Sequence, residues 1–232
     1  MARAYGPLVA PRSSELIAGL DEAGRGSWLG PLVVGAFAAR RGDLTALREA
    51  GARDSKTLSP AAREKVYDRL ERLGTCRSID LGPEEIDRHV AHHGLNELEA
   101  TAFASLVREL APEVAYADAC DVDPRRFARR IARLAGPGPR IVARHRADRD
   151  HPFVGAASIV AKVRRDRAIR ALAESLGKEI GSGYPSDPRT VEFVRRSVDP
   201  NAPRPTWLRS SWATTRRVIP VRTGRTLDGP FP

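Results

Sequence analysis

Two adjacent carboxylates, Asp21 and Glu22, follow a short apolar run and precede a Gly-Arg-Gly segment at 24–26. Neighbouring residues in a β-strand point to opposite faces, so we expect the chain to leave strand geometry at Asp21 if both carboxylates are to share one site. The glycines permit unusual backbone dihedrals and the close approach of a ligand. Two carboxylates beside an arginine could hold a hard cation next to a phosphate. A glycine-rich hairpin turn with solvated acids is the alternative interpretation.

The elements that would position these residues follow from hydrophobic patterns. Short apolar runs predict strands at Leu16–Leu20, Pro31–Ala39, Thr75–Leu81, Val114–Asp118 and Arg140–Ala143. Proline starts and helical periodicity predict helices at 60–73, Pro83–His93, Asn96–Leu110, Pro124–Leu134, Ala156–Leu176 and Pro188–Ser197. Asn96 followed by Glu99 resembles a capping box. Strands that first cluster and then alternate with helices predict an α/β fold with a mixed sheet and helices packed against it.

Composition is that of a soluble globular protein, since 41% of the 232 residues are hydrophobic and 29% are charged. No apolar run approaches the roughly 20 residues that span a bilayer, and the N-terminus lacks the apolar core of a secretory signal. We therefore expect a cytoplasmic protein without membrane contact. Cys76 and Cys120 are far apart in the sequence and are predicted to be reduced thiols.

The formal net charge of +10 is concentrated in one segment of the chain. Residues 124–170 carry 14 basic and 3 acidic side chains, a net charge of +11. Such a block attracts polyanions, of which nucleic acid is the commonest. Because 35 of the 39 basic residues are arginine, a solvated face in an arginine-rich protein is the alternative.

A series of motifs in a fixed order resembles the ribonuclease HII family, in particular its archaeal branch. The motifs are GLDEAGRGSWLGPLVVGA at 19–36, DSKTLSP at 54–60, YADACDVDPRRF at 116–127, HRADRDHPFVGAASIVAKVRRDR at 145–167, GSGYPSDPRT at 181–190 and RSSW at 209–212. The resemblance covers about residues 15–215. It implies an RNase H-like mixed sheet flanked by helices, with a small C-terminal helical extension. We expect a catalytic domain over 1–180, the extension over 181–217 and a flexible tail over 218–232.

The resemblance also implies a divalent metal site that cleaves the RNA strand of RNA–DNA hybrids and cuts 5′ to ribonucleotides embedded in duplex DNA. The metal-binding and catalytic residues would be Asp21, Glu22, Asp118 and Asp148. Two Mg²⁺ or Mn²⁺ ions roughly 3.5–4 Å apart can activate a water and stabilise the leaving oxygen. The expected products carry 3′-hydroxyl and 5′-phosphate ends.

Other acidic residues near these positions leave alternatives open. Asp121 and Asp123 lie close to the third acid in sequence, although no EF-hand spacing follows them. Asp150 and Asp166 are available beside the fourth acid. For Asp166 we expect instead an ion pair with Arg170, one helical turn further along.

In similar enzymes the Gly-Arg-Gly segment contacts the 2′-hydroxyl at the RNA–DNA junction, and a tyrosine stacks on the following deoxyribose. The resemblance assigns these substrate-binding roles to Gly24, Arg25, Gly26 and Tyr184. A half-buried loop aromatic is the alternative for Tyr184. Lysine is rare in this chain, and Lys56 and Lys162 both lie inside the motifs, so we expect both to contact phosphate. Placement by chance is the alternative for these two lysines.

The histidines carry less information. His89 and His93 share a helix face and could pair on zinc, but no HExxH pattern or third ligand accompanies them, so we expect a solvated helix end. His145 and His151 flank Asp148 and are candidates for substrate contact.

The C-terminal TGRTLDGPFP partly resembles the sliding-clamp peptide of some archaeal relatives. Leu227 and Phe231 match, whereas Gly224 and Pro230 replace the expected glutamine and first aromatic. Clamp binding is therefore a hypothesis that rests on two matching positions. The overall prediction is a monomeric type 2 ribonuclease H. The alternatives are another two-metal nuclease on the same fold and a nucleic-acid-binding module with an inactive site.

Overall fold

A computed structural model describes residues 12–52, 58–92, 94–199, 201–213, 215 and 219. Its centre is a sheet of five strands: β1 (Leu16–Ala23), β2 (Leu32–Arg40), β3 (Thr75–Leu81), β4 (Val114–Asp118) and β5 (Arg140–Arg144). The strand order is β3-β2-β1-β4-β5. β2 is antiparallel to β1 and β3, whereas β4 is parallel to both β1 and β5. The predicted mixed sheet is confirmed, with all five predicted strands.

The helices within the described ranges are α1 (Leu44–Glu49), α2 (Pro60–Leu73), α3 (Pro83–Val90), α4 (Leu95–Leu110), α5 (Pro124–Ala135), α6 (Ala147–Asp150), α7 (Pro152–Leu176) and α8 (Pro188–Ser197). The sequence did not predict α1 or α6, because helices this short carry too little periodicity to recognise. α7 begins four residues earlier than predicted, at a proline in the first helical position. Among the described helices, none is long and apolar enough to cross a membrane.

The two faces of the sheet are covered by different helices. On one face, Leu20 of β1 belongs to the same buried cluster as Phe103 of α4 and Phe127 of α5. On the other face, Ile17 belongs to a cluster with Phe153 of α7. Because side chains alternate along β1, Asp21 and Glu22 at its end face different helices. Asp21 shares the α7 face with Ile17, and Glu22 shares the α4 face with Leu20.

α7 crosses β1 in close contact at Gly19. A Cβ atom at this position would lie 1.9 Å from the carbonyl oxygen of Phe153, so only glycine permits the observed approach. The close packing brings Ser158 and Lys162 of α7 next to Asp21 at the end of β1.

A third buried cluster joins the segment after β1 to the C-terminal part of the chain. Trp28 and Leu29 pack there with Ile169 of α7, Phe193 of α8 and Leu208. The cluster therefore contains residues from both sides of position 180, and a domain boundary at that position stays a prediction.

Candidate active site

Three carboxylates meet at the carboxyl ends of β1 and β4. Leu20 of β1 is paired with Ala117 of β4, so the residues that follow, Asp21 and Asp118, lie side by side. Asp148 of α6 completes the group. One carboxylate oxygen of each acid lies within 4.8 Å of those of the other two, and Asp21 and Asp148 are buried while Asp118 is half-buried. This spacing allows three oxygens to contact one cation.

Asp118 also fixes the helix that carries Asp148. Its Oδ1 accepts hydrogen bonds from the backbone N–H groups of Ala147, at 3.0 Å, and Ala119, at 3.2 Å. Arg146, directly before α6, has a φ of 57°, a left-handed conformation that is uncommon for residues with a side chain. The tight turn starts α6 close to β5, and Asp118 binds an N–H that has no partner inside the helix. One acid of the group thus positions another.

Asp21 is buried on the α7 side of the sheet. Burial raises the pKa of its carboxyl from 3.8 to about 6, and the charge of Asp118 adds to this increase. Lys162, Ser158 and the backbone N–H of Glu22, which donates to Asp21 Oδ1 at 2.8 Å, oppose it only in part. The raised pKa means that nearby protein groups do not fully compensate the buried negative charge. A divalent cation would do so.

Glu22 points to the opposite face of the sheet. β1 stays paired with β2 through Ala23, so the expectation that the chain leaves strand geometry at Asp21 was wrong. Glu22 therefore lies near Glu99 of α4 and Arg25, outside the three-acid group. Burial and then the charges of Asp21 and Glu99 hold its pKa well above the ordinary value. Both Asp21 and Glu22 still border one cavity, since β1 ends one residue further on.

The segment after β1 forms a tight turn whose backbone is fixed by hydrogen bonds from the C-terminal part of the chain. Gly24 has a φ of 86°, and a Cβ atom there would lie 2.9 Å from the carbonyl oxygen of Pro31. The buried guanidinium of Arg209 donates to the carbonyl oxygen of Arg25 at 3.0 Å and to that of Gly30 at 3.2 and 3.1 Å. The C-terminal part of the chain therefore fixes two carbonyl groups of this turn.

The side chain of Arg25 turns inward, away from the cavity. Its guanidinium forms an ion pair with Glu99 and donates to Asn96 Oδ1 at 2.7 Å. The predicted capping box of Asn96 and Glu99 is therefore wrong: the residue before α4 is Gly94, and both side chains bind Arg25. Gly24 borders the cavity, so the backbone of the turn is what a ligand would meet there.

Tyr184 lies on a loop that docks against the same turn. The carbonyl oxygen of Gly183 accepts hydrogen bonds from the N–H of Trp28, at 2.8 Å, and the hydroxyl of Ser27, at 3.0 Å. Arg165, only 3% exposed, donates to Ser27 Oγ at 2.9 Å. Its guanidinium carbon lies 4.4 Å from the centre of the Tyr184 ring. This buried cation supports the ring and connects the two loops.

The cavity at the centre of these elements has a volume of about 370 Å³. The acids form one part of its wall, and the basic residues Arg63, Lys162 and Arg165 form another. Asp166 also borders it and pairs with Arg63 at 2.9 Å. The predicted ion pair of Asp166 with Arg170 is wrong, because Arg170 binds Glu64 of α2 instead. Carboxylates beside cations suit a metal ion and the phosphate group it contacts.

The comparison with known proteins decides the family. The family model described as Ribonuclease HII matches residues 18–215. The chain belongs to the ribonuclease HII family. Relatives include the ribonuclease HII of Cenarchaeum symbiosum, 43% identical over 204 residues that cover 88% of this chain and 98% of that protein. The ribonuclease HII of Pyrococcus horikoshii is 42% identical, with 87% of this chain and 92% of that protein covered.

Solved structures confirm the RNase H-like fold of this ribonuclease HII family member. The ribonuclease H2 of Pyrococcus horikoshii OT3 matches with a TM-score of 0.80 and 40% identity, covering 88% of this chain and 97% of that one. The structure of the PCNA:RNase HII complex from Archaeoglobus fulgidus matches with a TM-score of 0.78 and 39% identity, covering 85% and 95%. Membership of the ribonuclease HII family makes the chain a hydrolase, an endonuclease with ribonuclease H activity.

Some candidate residues named from the sequence lie apart from the cavity or outside the described residues. Lys56 and His93 lie outside the described residues, as do the clamp-like positions of the tail. Nδ1 of His89 lies 2.9 Å from the carbonyl oxygen of Glu85. His145 is exposed, and its Nδ1 lies 3.2 Å from the carbonyl oxygen of Ala119.

His151 does not border the cavity that the acids line. Its ring stacks on Tyr116 with 3.8 Å between the ring centres. Burial, with the charges of Arg41 and Arg144, lowers its pKa to about 4. His151 is therefore neutral at physiological pH and supports the packing between α7 and β4.

Three buried residues were not assigned to the site from the sequence: Glu99, Arg165 and Arg209. Arg165 and Arg209 lie inside the quoted motifs, and an arginine at a motif position was the available signal. Glu99 was mistaken for a helix cap because its partner lies 74 residues away in the sequence.

Proposed function

We propose that this protein is a metal-dependent endoribonuclease that cleaves the RNA strand of RNA–DNA hybrids. It also cuts on the 5′ side of ribonucleotides embedded in duplex DNA and leaves 3′-hydroxyl and 5′-phosphate ends. The observation that carries the proposal is the position of three carboxylates, within 4.8 Å of one another, next to a turn whose backbone borders the same cavity. The turn supplies the substrate selection and the acids supply the chemistry.

The acids fit a magnesium or manganese site. Asp21, Asp118 and Asp148 offer three oxygens to one cation, and oxygen is the donor that Mg²⁺ and Mn²⁺ prefer. Glu22, the fourth acid that the family resemblance implies, has a buried Oε2 that accepts no hydrogen bond from the described residues. Divalent ions held by these four acids would activate a water and stabilise the leaving 3′-oxygen.

The basic residues of the cavity bind the phosphate. Lys162 and Arg165 approach the acids from α7, and Arg63 approaches from α2. The Lys162 ammonium is held beside Ser158 Oγ, where it can neutralise charge on a phosphate oxygen. Lys56, from the same set of motifs, is proposed to contact a neighbouring phosphate.

Two loops select the ribonucleotide. The backbone of Gly24, Arg25 and Gly26 contacts the 2′-hydroxyl, a group that distinguishes RNA from DNA at one site. Arg25 contributes its backbone to this contact, because its guanidinium is engaged by Glu99 and Asn96. The Tyr184 ring stacks on the deoxyribose that follows the ribonucleotide.

A groove between α5 and β5 extends the substrate surface. Arg125, Arg144 and His145 line it, and Arg144 is the β-ladder neighbour of Asp118. No described carboxylate forms an ion pair with Arg125 or Arg144, whereas Arg170 on α7 pairs with Glu64. Exposed, uncompensated arginines beside the acids favour contact with the phosphates of the flanking duplex.

One cleavage assay tests the proposal. A DNA duplex with one ribonucleotide and an all-RNA strand on DNA are incubated with Mg²⁺ or Mn²⁺, and an all-DNA duplex serves as the control. Cleavage of the first two and not the third is expected. Equal cleavage of the all-DNA duplex would favour another two-metal nuclease. Metal-independent binding without turnover would favour an inactive binding module.

The protein is also proposed to bind a sliding clamp through its C-terminal tail. A structural neighbour, from Archaeoglobus fulgidus, is an RNase HII in complex with PCNA. Leu227 and Phe231 are the clamp-like positions, and both lie outside the described residues. Co-elution with a sliding clamp on gel filtration is expected for the full chain and not for the Phe231→Ala variant. Equal co-elution of the two proteins would remove the tail from the contact.

A further inference from the structure

Glu22 and Glu99 both lie near one cation, Arg25, on the α4 side of the sheet. Glu99 is fully buried on α4 and forms an ion pair with the guanidinium. Glu22, at the end of β1, is close enough to Arg25 for each to feel the charge of the other. Asn96 holds the second guanidinium nitrogen at 2.7 Å. One arginine thus has two acidic neighbours and a bond to only one of them.

Which carboxylate binds the Arg25 guanidinium determines whether Glu22 can bind a metal. Arg25 donates to Glu99 and Asn96, and the buried Oε2 of Glu22 accepts no hydrogen bond from the described residues. A carboxylate already bound to a guanidinium is a poor metal ligand, since the same oxygens would be required by both cations. Glu22 therefore depends on Glu99 to keep the guanidinium elsewhere.

We propose that Glu99 is a positioning residue which, by holding Arg25 with the help of Asn96, leaves Glu22 available to the divalent metal. The inference rests on the proposed function and extends it to Glu99 and Asn96, which do not themselves touch metal or substrate. When Glu99 is replaced, Arg25 turns to Glu22, whose charge it already feels.

The test measures Mn²⁺ binding directly, by electron paramagnetic resonance of free Mn²⁺, in the full chain without substrate. Glu99→Gln is expected to weaken Mn²⁺ binding about 10-fold, the lower end of what partners behind a metal ligand contribute. Arg25→Gln alone should change the affinity less than about twofold, and the double variant should return to wild type. The coupling between the two substitutions is then about 10-fold.

If Glu99 and Arg25 affected the metal only through their charges, the Mn²⁺ affinities of the variants would follow a different pattern. In that case Glu99→Gln weakens Mn²⁺ binding, Arg25→Gln strengthens it by a similar factor, and the two effects add. Additive effects would overturn the proposal. Asn96→Ala changes no charge but removes one hydrogen bond from the guanidinium, so we expect a smaller loss of Mn²⁺ affinity in the same direction. Unchanged affinity in Asn96→Ala would also count against the proposal.

Glu97→Gln is the matched control. Glu97 lies on the same helix and pairs with Arg130 of α5 at 2.8 Å, so this variant removes a carboxylate without reaching Arg25. Its Mn²⁺ affinity should match the wild type. Thermal melts show which variants are folded. If Glu99→Gln does not fold, the Mn²⁺ affinity of Asn96→Ala tests the proposal instead. If the wild-type protein binds no Mn²⁺ and cleaves no substrate, the proposed function fails. If the wild-type protein binds Mn²⁺ and cleaves substrate, but the effects of Glu99→Gln and Arg25→Gln on Mn²⁺ affinity add, only this inference fails.

Discussion

Arg209 donates a hydrogen bond to the carbonyl oxygen of Arg25 across 184 residues of sequence. The guanidinium of Arg25 is in turn bound by Glu99 and Asn96 on α4. The turn after β1 is therefore held at its carbonyl by the C-terminal part of the chain and at its side chain by α4. Fixing the turn from two sides would keep its backbone ready for the substrate contact that we propose, which would lower the cost of orienting the reacting groups.

Asp21→Asn should abolish cleavage while the protein remains folded. Asp21 lies near Asp118 and Lys162 and belongs to the three-acid group that we propose holds the metal. An amide removes the negative charge and one of the three carboxylates. The measurement is cleavage of a duplex with one ribonucleotide over a range of Mg²⁺ concentrations. Full activity at any of these concentrations would refute the assignment of Asp21.

The same substitution should stabilise the metal-free protein in a pH-dependent way. Burial raises the pKa of Asp21 to about 6 from its ordinary value of 3.8, so the unfolded chain loses this proton first as the pH rises. The buried charge therefore costs stability above pH 6 and costs little below pH 3.8. Melting temperatures in EDTA should be higher for Asp21→Asn than for wild type above pH 6, and the difference should shrink as the pH falls. A constant difference across this range would contradict the assignment.

Gly24→Ala should reduce cleavage by roughly 100-fold with little loss of hybrid binding, since a displacement of about 1 Å can cost that much. The new Cβ would lie 2.9 Å from the carbonyl oxygen of Pro31 at a φ of 86°, so the turn must move. Gly26→Ala is the matched control for strain, because a Cβ there meets nothing within 4 Å. A fall in activity of Gly26→Ala at unchanged stability would show that substrate itself approaches this glycine. Normal cleavage by Gly24→Ala would exclude the turn from substrate selection.

Tyr184→Ala should mainly reduce cleavage at a single embedded ribonucleotide, because only there does a deoxyribose follow the cut site. Its activity on an all-RNA strand should fall less. Tyr184→Phe keeps the ring over Arg165 and should preserve both activities. Rates on the two substrates are compared for each variant. If Tyr184→Ala lowers both by the same factor, the ring supports its loop rather than reading the junction.

Substrate affinity should fall steeply with salt, because each contacted phosphate releases bound counterions. Arg125→Gln or Arg144→Gln should each lower the slope of log K against log salt by about 1. Arg170→Gln is the control, since Arg170 already pairs with Glu64 and lies outside the groove. Binding is measured in the Asp21→Asn background to prevent cleavage. A flat salt dependence would mean that the basic block is only a solvated face.

Hydrophobic patterns predicted the sheet because its strands are short, apolar and separated by clear breaks. The exception is the end of β1, where Asp21 and Glu22 resemble a strand terminus although the ladder with β2 continues to Ala23. Local sequence does not reveal that the strand continues through both acids or that Asp21 is buried. The family resemblance identified these acids, but it could not show that they point to opposite faces.

Contacts between distant residues were the main source of error. Asn96 and Glu99 have the spacing of a capping box, yet their partner Arg25 lies more than 70 residues away in the sequence. Asp166 and Arg170 have the spacing of a helical ion pair, yet each binds a residue of α2. Spacing along one helix shows which pairs are possible, and tertiary packing decides which of them form.

The bond between Arg209 and Arg25 has a consequence for synthesis. A chain emerging from the ribosome exposes β1 and its turn early, but the guanidinium that binds the carbonyl oxygens of Arg25 and Gly30 arrives 184 residues after Arg25. Until then the turn lacks its buried donor and the Trp28 cluster lacks Phe193 and Leu208. An incomplete nascent chain therefore lacks the hydrogen bonds and the packing that hold the turn after β1.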